Sequence, residues 1–256
     1  MTEFSAAHQS LIDSIPVRDG ALIVEETIEY EHDGETFEGF LVYDASITGT
    51  KPGVVIVHDW SGLREYPKAR AHMLARLGYA AFAIDVYGKG VRFDGSDPDG
   101  ASAEAGKYYA DLDLLRARVR AGFDAAVHEA NVDADRVAVL GYCFGGSATL
   151  EFARTGAPAR GFASFHGGLV AHEPADVDQI AAPLLVMTGG ADPVVPDDAI
   201  LTFENELRTR DDIDWQVITY SGAPHGFTLP ETPNYRAAAD ARSWRELEGF
   251  LAEVLA

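Results

Sequence analysis

Cysteine is almost missing from this chain: Cys143 is the only one in 256 residues. A lone cysteine cannot form an internal disulfide, which removes the usual mark of an oxidising compartment. Lysine is nearly as scarce, with Lys51, Lys68, Lys89 and Lys107 the only four and arginine supplying the other basic residues. No stretch is long and apolar enough to span a bilayer. The start of the sequence, Met1 to His8, lacks a basic patch followed by an apolar run, so no signal peptide is visible. The eight histidines are scattered without the paired spacings of zinc sites. No phosphate-cradling or dinucleotide-binding glycine fingerprint opens a helix. These absences predict a cytoplasmic protein working without metal or cofactor.

What the chain has in excess is negative charge, a net −21. Long-range repulsion makes such a chain a poor partner for nucleic acid or for anionic membrane surfaces. Disorder is excluded because 47% of the residues are apolar and periodic apolar segments run from end to end. Acidic surplus with little lysine suggests a halophilic protein, whose self-repulsion is screened by concentrated salt. An acidic, GC-biased genome gives the same look.

Residues 1–20 read as an extended or short helical lead-in. Ala21 to Tyr30 and Thr36 to Tyr43 are β-rich runs around an Asp-Gly, a hairpin signal. Val54 to Val57 is continuously apolar, as in a strand buried on both faces. Alternation follows: helix over Pro67 to Leu77, strand over Tyr79 to Ile84, loop from Val86 to Ala101. Ser102 to Ala130 reads as one long helical region that Gly106 and Gly122 break or bend. Strand Val137 to Leu140 leads into helix Phe144 to Arg154. Strands Gly161 to Phe165, Leu184 to Thr188 and Trp215 to Tyr220 complete the set, with helices over Asp197 to Thr209 and Tyr235 to Leu255. With no repeat, linker or composition shift, this predicts a single α/β domain over residues 1–256. Its central sheet is mostly parallel, with an N-terminal antiparallel hairpin and helices on both faces.

In such sheets reactive groups gather beyond the carboxyl ends of the strands. The most telling of these ends is Gly141-Tyr-Cys143-Phe-Gly-Gly146, where an apolar strand breaks at Gly-x-Cys-x-Gly and enters a helix. This reads as a nucleophile elbow, whose helix N-terminus favours an anion and can make a thiol reactive. The competing reading is a small buried hydrophobe at the end of a core strand. Asp192 follows the next-but-one strand and His225 the last, so nucleophile, acid and histidine come in the chain order of an α/β-hydrolase triad. His225 would exchange the proton and Asp192 would hold the imidazole in its working tautomer. Read alone, Asp192 is equally a turn aspartate before proline, and His225 a loop histidine.

The oxyanion hole needs two backbone N–H groups. Phe144, next after the nucleophile, supplies one; Trp60, in the loop after the first parallel strand, is the expected second. Asp59 beside it is read either as a carboxylate that disfavours the thiolate and gates Cys143, or as an aspartate that organises its own loop. In the loop after Asp85, Tyr87 and Arg92 are candidate substrate-binding residues; Lys89 and Arg92 otherwise stand as solvated charges.

The quoted motifs, with His58-Asp-Trp-Ser-Gly-Leu63, Asp85-Val-Tyr-Gly-Lys-Gly90, Gly190-Ala-Asp-Pro-Val-Val-Pro196 and His225-Gly-Phe227, together resemble the dienelactone hydrolase family. The resemblance covers about Val24 to Leu255. It implies an α/β-hydrolase fold, a Cys-His-Asp triad and cofactor-independent hydrolysis of a lactone such as 4-carboxymethylenebut-2-en-4-olide, giving maleylacetate. Asp59 stands where the prototypes carry a longer glutamate. The segment His225-Gly-Phe-Thr-Leu-Pro230 lacks the arginine with which they bind the substrate carboxylate. A thiolate also leaves more readily than an alkoxide or amine, which favours esters with stabilised leaving groups and disfavours amides. The expected partner is a small ester or lactone, met by a monomer or homodimer. The alternatives are a carboxylesterase or thioesterase of another substrate class, and a non-catalytic binding protein of the same fold.

Overall fold

The computed structural model describes residues 2–256 and shows an α/β fold with seven helices and an eight-stranded, mixed, mostly parallel sheet among them. The chain divides into two compact units, Met1–Val137 and Ala138–Ala256.

The first unit opens with α1 (Ala6–Asp13), where the Ser5 hydroxyl caps the helix by accepting the His8 N–H. The hairpin of β1 (Ile23–His32) and β2 (Glu35–Asp44) pairs from Ile23 with Asp44 to His32 with Glu35. Asp33 and Gly34 both take positive φ, 51° and 76°, as the two-residue turn of a right-twisted hairpin requires. β3 (Lys51–Val57), α2 (Glu65–Arg76) and β4 (Ala80–Ile84) form a parallel crossover, and the strand order here is β1-β2-β4-β3. All five residues of β4 are buried, as its unbroken apolar run predicts.

The long helical region is two helices, α3 (Pro98–Ala110) and α4 (Leu112–Val127), and the break falls at Asp111 rather than at either glycine. Asp111 leaves helical geometry at φ −137°, and its carboxylate accepts the Leu114 N–H at 3.0 Å, so it starts α4 as a cap. Gly122 has a packing reason instead: a Cβ there would come within 2.6 Å of Ile84 on β4.

β5 (Val132–Tyr142) runs from the end of the first unit into the second. There it is followed by α5 (Phe144–Ala153), β6 (Phe162–Phe165), β7 (Leu184–Gly189), α6 (Asp197–Leu207), β8 (Trp215–Tyr220) and α7 (Ala237–Val254). β5 to β8 lie side by side in chain order, every neighbour parallel. Every residue of α5 is buried, including Glu151, which pairs with Arg154 and His172. No helix among the described residues is long and apolar enough to cross a membrane.

Candidate active site

Cys143 sits between β5 and α5 with φ 55° and ψ −116°, a strained backbone that turns its side chain out of the strand line. The turn closes only because Gly141 has no side chain: a Cβ there would meet the Gly145 carbonyl oxygen at 2.0 Å. The Cys143 N–H is held by the Phe165 carbonyl at the end of β6, 2.9 Å away. Cys143 also occupies the N-cap position of α5, where the helix end favours a negative charge.

Asp192 and His225 reach the same place from the loops after β7 and β8. Those loops are laced together by Gly190 N–H to Tyr220 O at 2.8 Å and Ala191 N–H to Ala223 O at 2.9 Å. The fully buried Asp192 carboxylate divides its work. Oδ1 accepts the Val194 N–H at 2.8 Å, the turn role, and Oδ2 lies 2.9 Å from His225 Nδ1. One carboxylate thus makes the turn contact and the imidazole contact together. A carboxylate only accepts, so Nδ1 carries the proton and the opposite ring nitrogen, Nε2, faces Cys143 Sγ at 3.1 Å.

Burial works against a charged imidazole here, but the hydrogen bonds to Asp192 and Cys143 and the coulombic pull of both outweigh it, raising the His225 pKa to about 10. A histidine that stays protonated at neutral pH beside a thiol makes a thiolate–imidazolium pair available. Such an arrangement can attack a carbonyl carbon and return a proton to a leaving group.

Phe144, the predicted oxyanion donor after the nucleophile, opens α5 in the second unit and is buried; the other predicted residues belong to the first unit. Asp59 follows β3 and is buried; its Oδ1 accepts the Ser61 N–H at 2.7 Å, so it does organise its own loop. Burial, the largest influence, pushes its carboxyl pKa up against the hydrogen bonds from Ser61. Trp60 is 38% exposed, and its carbonyl accepts the Tyr87 hydroxyl at 3.2 Å. The Tyr87 ring packs on His58 and stacks on Tyr108. Arg92 faces Asp85 through both terminal nitrogens at 3.2 Å and gives its Nε–H to the Leu63 carbonyl, so its charge has a partner within the fold. Lys89 pairs with Glu29.

Sequence reasoning missed two histidines. His58 is fully buried; its Nδ1 bonds the Asp59 carbonyl at 2.6 Å and its Nε2 accepts the Val86 N–H at 3.1 Å. Burial lowers its pKa to about 4, which keeps it neutral and fixes its tautomer. His166, at the end of β6, packs edge-on against the His225 ring with 5.5 Å between centroids. The signal for His166 is its place: His166-Gly167-Gly168 directly follows a strand, as do the segments bearing Cys143, Asp192 and His225.

A model of the dienelactone hydrolase family matches residues 37–255, most of the chain. The chain belongs to the dienelactone hydrolase family. Among its relatives is a Bradyrhizobium protein named a probable 2-oxo-3-(5-oxofuran-2-ylidene)propanoate lactonase, 30% identical over 82% of this chain and 88% of its own. A Yersinia pestis protein, named as a candidate carboxymethylenebutenolidase, is 26% identical over 84% of this chain and 82% of its own. Of solved structures, a dienelactone hydrolase-like promiscuous phosphotriesterase from metagenomic libraries is 35% identical. It matches with a TM-score of 0.86 over 93% of this chain and all of its own. As a member of the dienelactone hydrolase family with such relatives, the chain is an ester or lactone hydrolase.

Proposed function

We propose that the chain hydrolyses a lactone or an ester with a stabilised leaving group through a thioester on Cys143. The observation that carries this reading is the unbroken line from Cys143 Sγ to His225 Nε2 at 3.1 Å and from His225 Nδ1 to Asp192 Oδ2 at 2.9 Å. The thiolate attacks the carbonyl carbon, and the carbonyl electrons move to oxygen. That oxyanion is met by backbone N–H groups, for which Phe144 and Trp60 are the candidates. When the intermediate collapses, the ester C–O bond breaks and the leaving oxygen takes the His225 proton. Water then gives a proton to His225 Nε2 as it adds to the thioester. The C–S bond breaks, releasing the acid and restoring the thiolate–imidazolium pair.

Asp192 holds the imidazole orientation throughout and stays ionised. Asp59 is assigned as the carboxylate that restrains the thiolate, an effect that weakens as a neutral carboxyl replaces the charge. Expulsion from the tetrahedral intermediate chooses the better leaving group. Enol lactones and aryl esters therefore suit a thiolate nucleophile and amides do not. The family match spans both compact units, which supports reading residues 1–256 as one domain.

The test is hydrolysis of an enol lactone, an aryl ester, an anilide and a phosphotriester by wild type, Cys143→Ala, Cys143→Ser and Asp59→Asn. Cys143→Ala is expected to lower kcat on the enol lactone and aryl ester by about 10⁴-fold or more, the scale seen when a triad member is lost. Full turnover by Cys143→Ala would end the covalent reading. Asp59→Asn is expected to speed alkylation of resting Cys143; an unchanged rate would remove its gating role. The phosphotriester is included because the solved relative bears that description.

A further inference from the structure

We propose that His166 is a positioning residue that holds His225 in line with Cys143. This rests on the triad reading above. The residue pair Phe165–His166, at the end of β6, touches every segment that carries a triad member. The Phe165 carbonyl accepts the Cys143 N–H at 2.9 Å. The His166 N–H bonds the Met187 carbonyl of β7 at 2.8 Å, two residues before the end of the strand that leads to Asp192. The His166 ring meets the His225 ring edge-on at 5.5 Å and the Phe227 ring at 5.2 Å. His166 Nε2 lies 2.7 Å from Thr228 Oγ1, three residues beyond His225. One peptide link thus ties the backbone of the nucleophile to the ring of its base, although the two are 82 residues apart in sequence.

The local backbone supports a purpose beyond filling space. His166 takes φ 40°, a left-handed conformation that costs a non-glycine residue and persists only where the surroundings impose it. The side chain is fully buried, as is Thr228, and Phe227 beside them is buried too. The loop bearing His225 therefore has an apolar wall in Phe227 and a polar anchor in Thr228. His166 is the side chain that engages both. A phenylalanine at 166 would keep the ring contacts and lose the anchor. In Thr228→Val the anchor is lost from the other end with the volume nearly kept.

Cys143 is the chain's only thiol, so alkylation by iodoacetamide reports on it alone in the intact protein. The experiment measures alkylation rate against pH, and kcat and KM on an aryl ester, for wild type and five variants. These are His166→Phe, Thr228→Val, Thr228→Ser, the His166→Phe/Thr228→Val pair and the control His225→Asn. Circular dichroism and melting identify the variants that fold. His166→Phe and Thr228→Val are expected to lower kcat by about tenfold to 100-fold, the scale of a small misplacement, with KM little changed.

The pH profile of alkylation should move in the direction of the His225→Asn profile. Thr228→Ser should restore it, and the double variant should be no worse than the worse single one. Should His166→Phe fail to fold, Thr228→Val and Thr228→Ser decide the question. Folded His166→Phe or Thr228→Val with a wild-type profile and kcat, beside a His225→Asn whose profile moves, would overturn the positioning role alone. If His225→Asn also leaves the profile unmoved, the triad reading itself falls and this role with it.

Discussion

The charge on His225 is the property of single residues with the widest consequence. A free histidine titrates near 6.5, whereas here the imidazole holds its proton to about 10 because Asp192 and Cys143 outweigh the cost of burying it. Protons are thus bound more tightly in the folded chain than in the unfolded one between those two values. The sign follows from linkage: this group's contribution to stability is complete below about 6.5 and is lost as pH rises toward 10. Denaturant midpoints measured from pH 6 to 10.5 should fall more steeply for wild type than for His225→Asn. In Cys143→Ala, which removes one of the two partners, the loss should be smaller and complete at lower pH. Parallel curves for wild type and His225→Asn would show that the pair does not hold its proton as described. His58 works in the opposite direction, since burial depresses its pKa to about 4 and its neutral ring ties Asp59 to Val86.

Among the elements, those most legible in sequence are the ones whose signal is local. The Asp33-Gly34 turn, the buried run of β4 and the elbow at Cys143 each follow from a few adjacent residues. Cys143, Asp192 and His225 could be singled out as a candidate triad because each lies in the segment that follows a strand. The elements that escaped depend on distant partners. Gly122 reads as a helix breaker in isolation, yet it lies inside α4 because Ile84, far away in sequence, leaves no room for a side chain. The true break, Asp111, is one acidic residue among many until its carboxylate is found on the Leu114 N–H. His166 was obscure for the same reason, its meaning lying in rings 59 to 61 residues onward. If Asp111 is the cap that starts α4, Asp111→Ala should cost about 0.5–2 kcal/mol, with a melting point lower by about 2–4 °C for each kcal/mol. Activity per folded molecule should be unchanged and Asp111→Asn should restore most of the stability. An undiminished melting point for Asp111→Ala would leave the break between α3 and α4 without this explanation.

At the scale of the whole molecule, the net charge of −21 is set against a small stock of cations, and the structure spends several of those internally. Arg154 is buried in a two-pronged pair with Glu206, at 2.7 and 2.9 Å, and Arg92 faces the buried Asp85. Arg18 and Arg76 are tied to Asp44 and Asp13. Cations committed to partners within the fold do little to offset the remaining carboxylates, so the folded state carries a repulsion that unfolding relieves by spreading the charge. Salt acts on that term through the Debye length, about 10 Å at 0.1 M and about 3 Å at 1 M. Melting in potassium chloride should therefore rise steeply up to about 1 M and then flatten as screening saturates. Chloride is the useful anion because sulfate would add a general exclusion effect on burial. The proposed single domain predicts one melting transition at every salt concentration, and two transitions would overturn it. The alkylation rate of Cys143, whose Sγ lies 3.1 Å from His225 Nε2, should change far less with salt than the melting point does. A melting point flat or falling between 0.1 and 2 M would mean that the acidic surplus costs the fold little, and would remove the physical ground for reading it as adaptation to high salt.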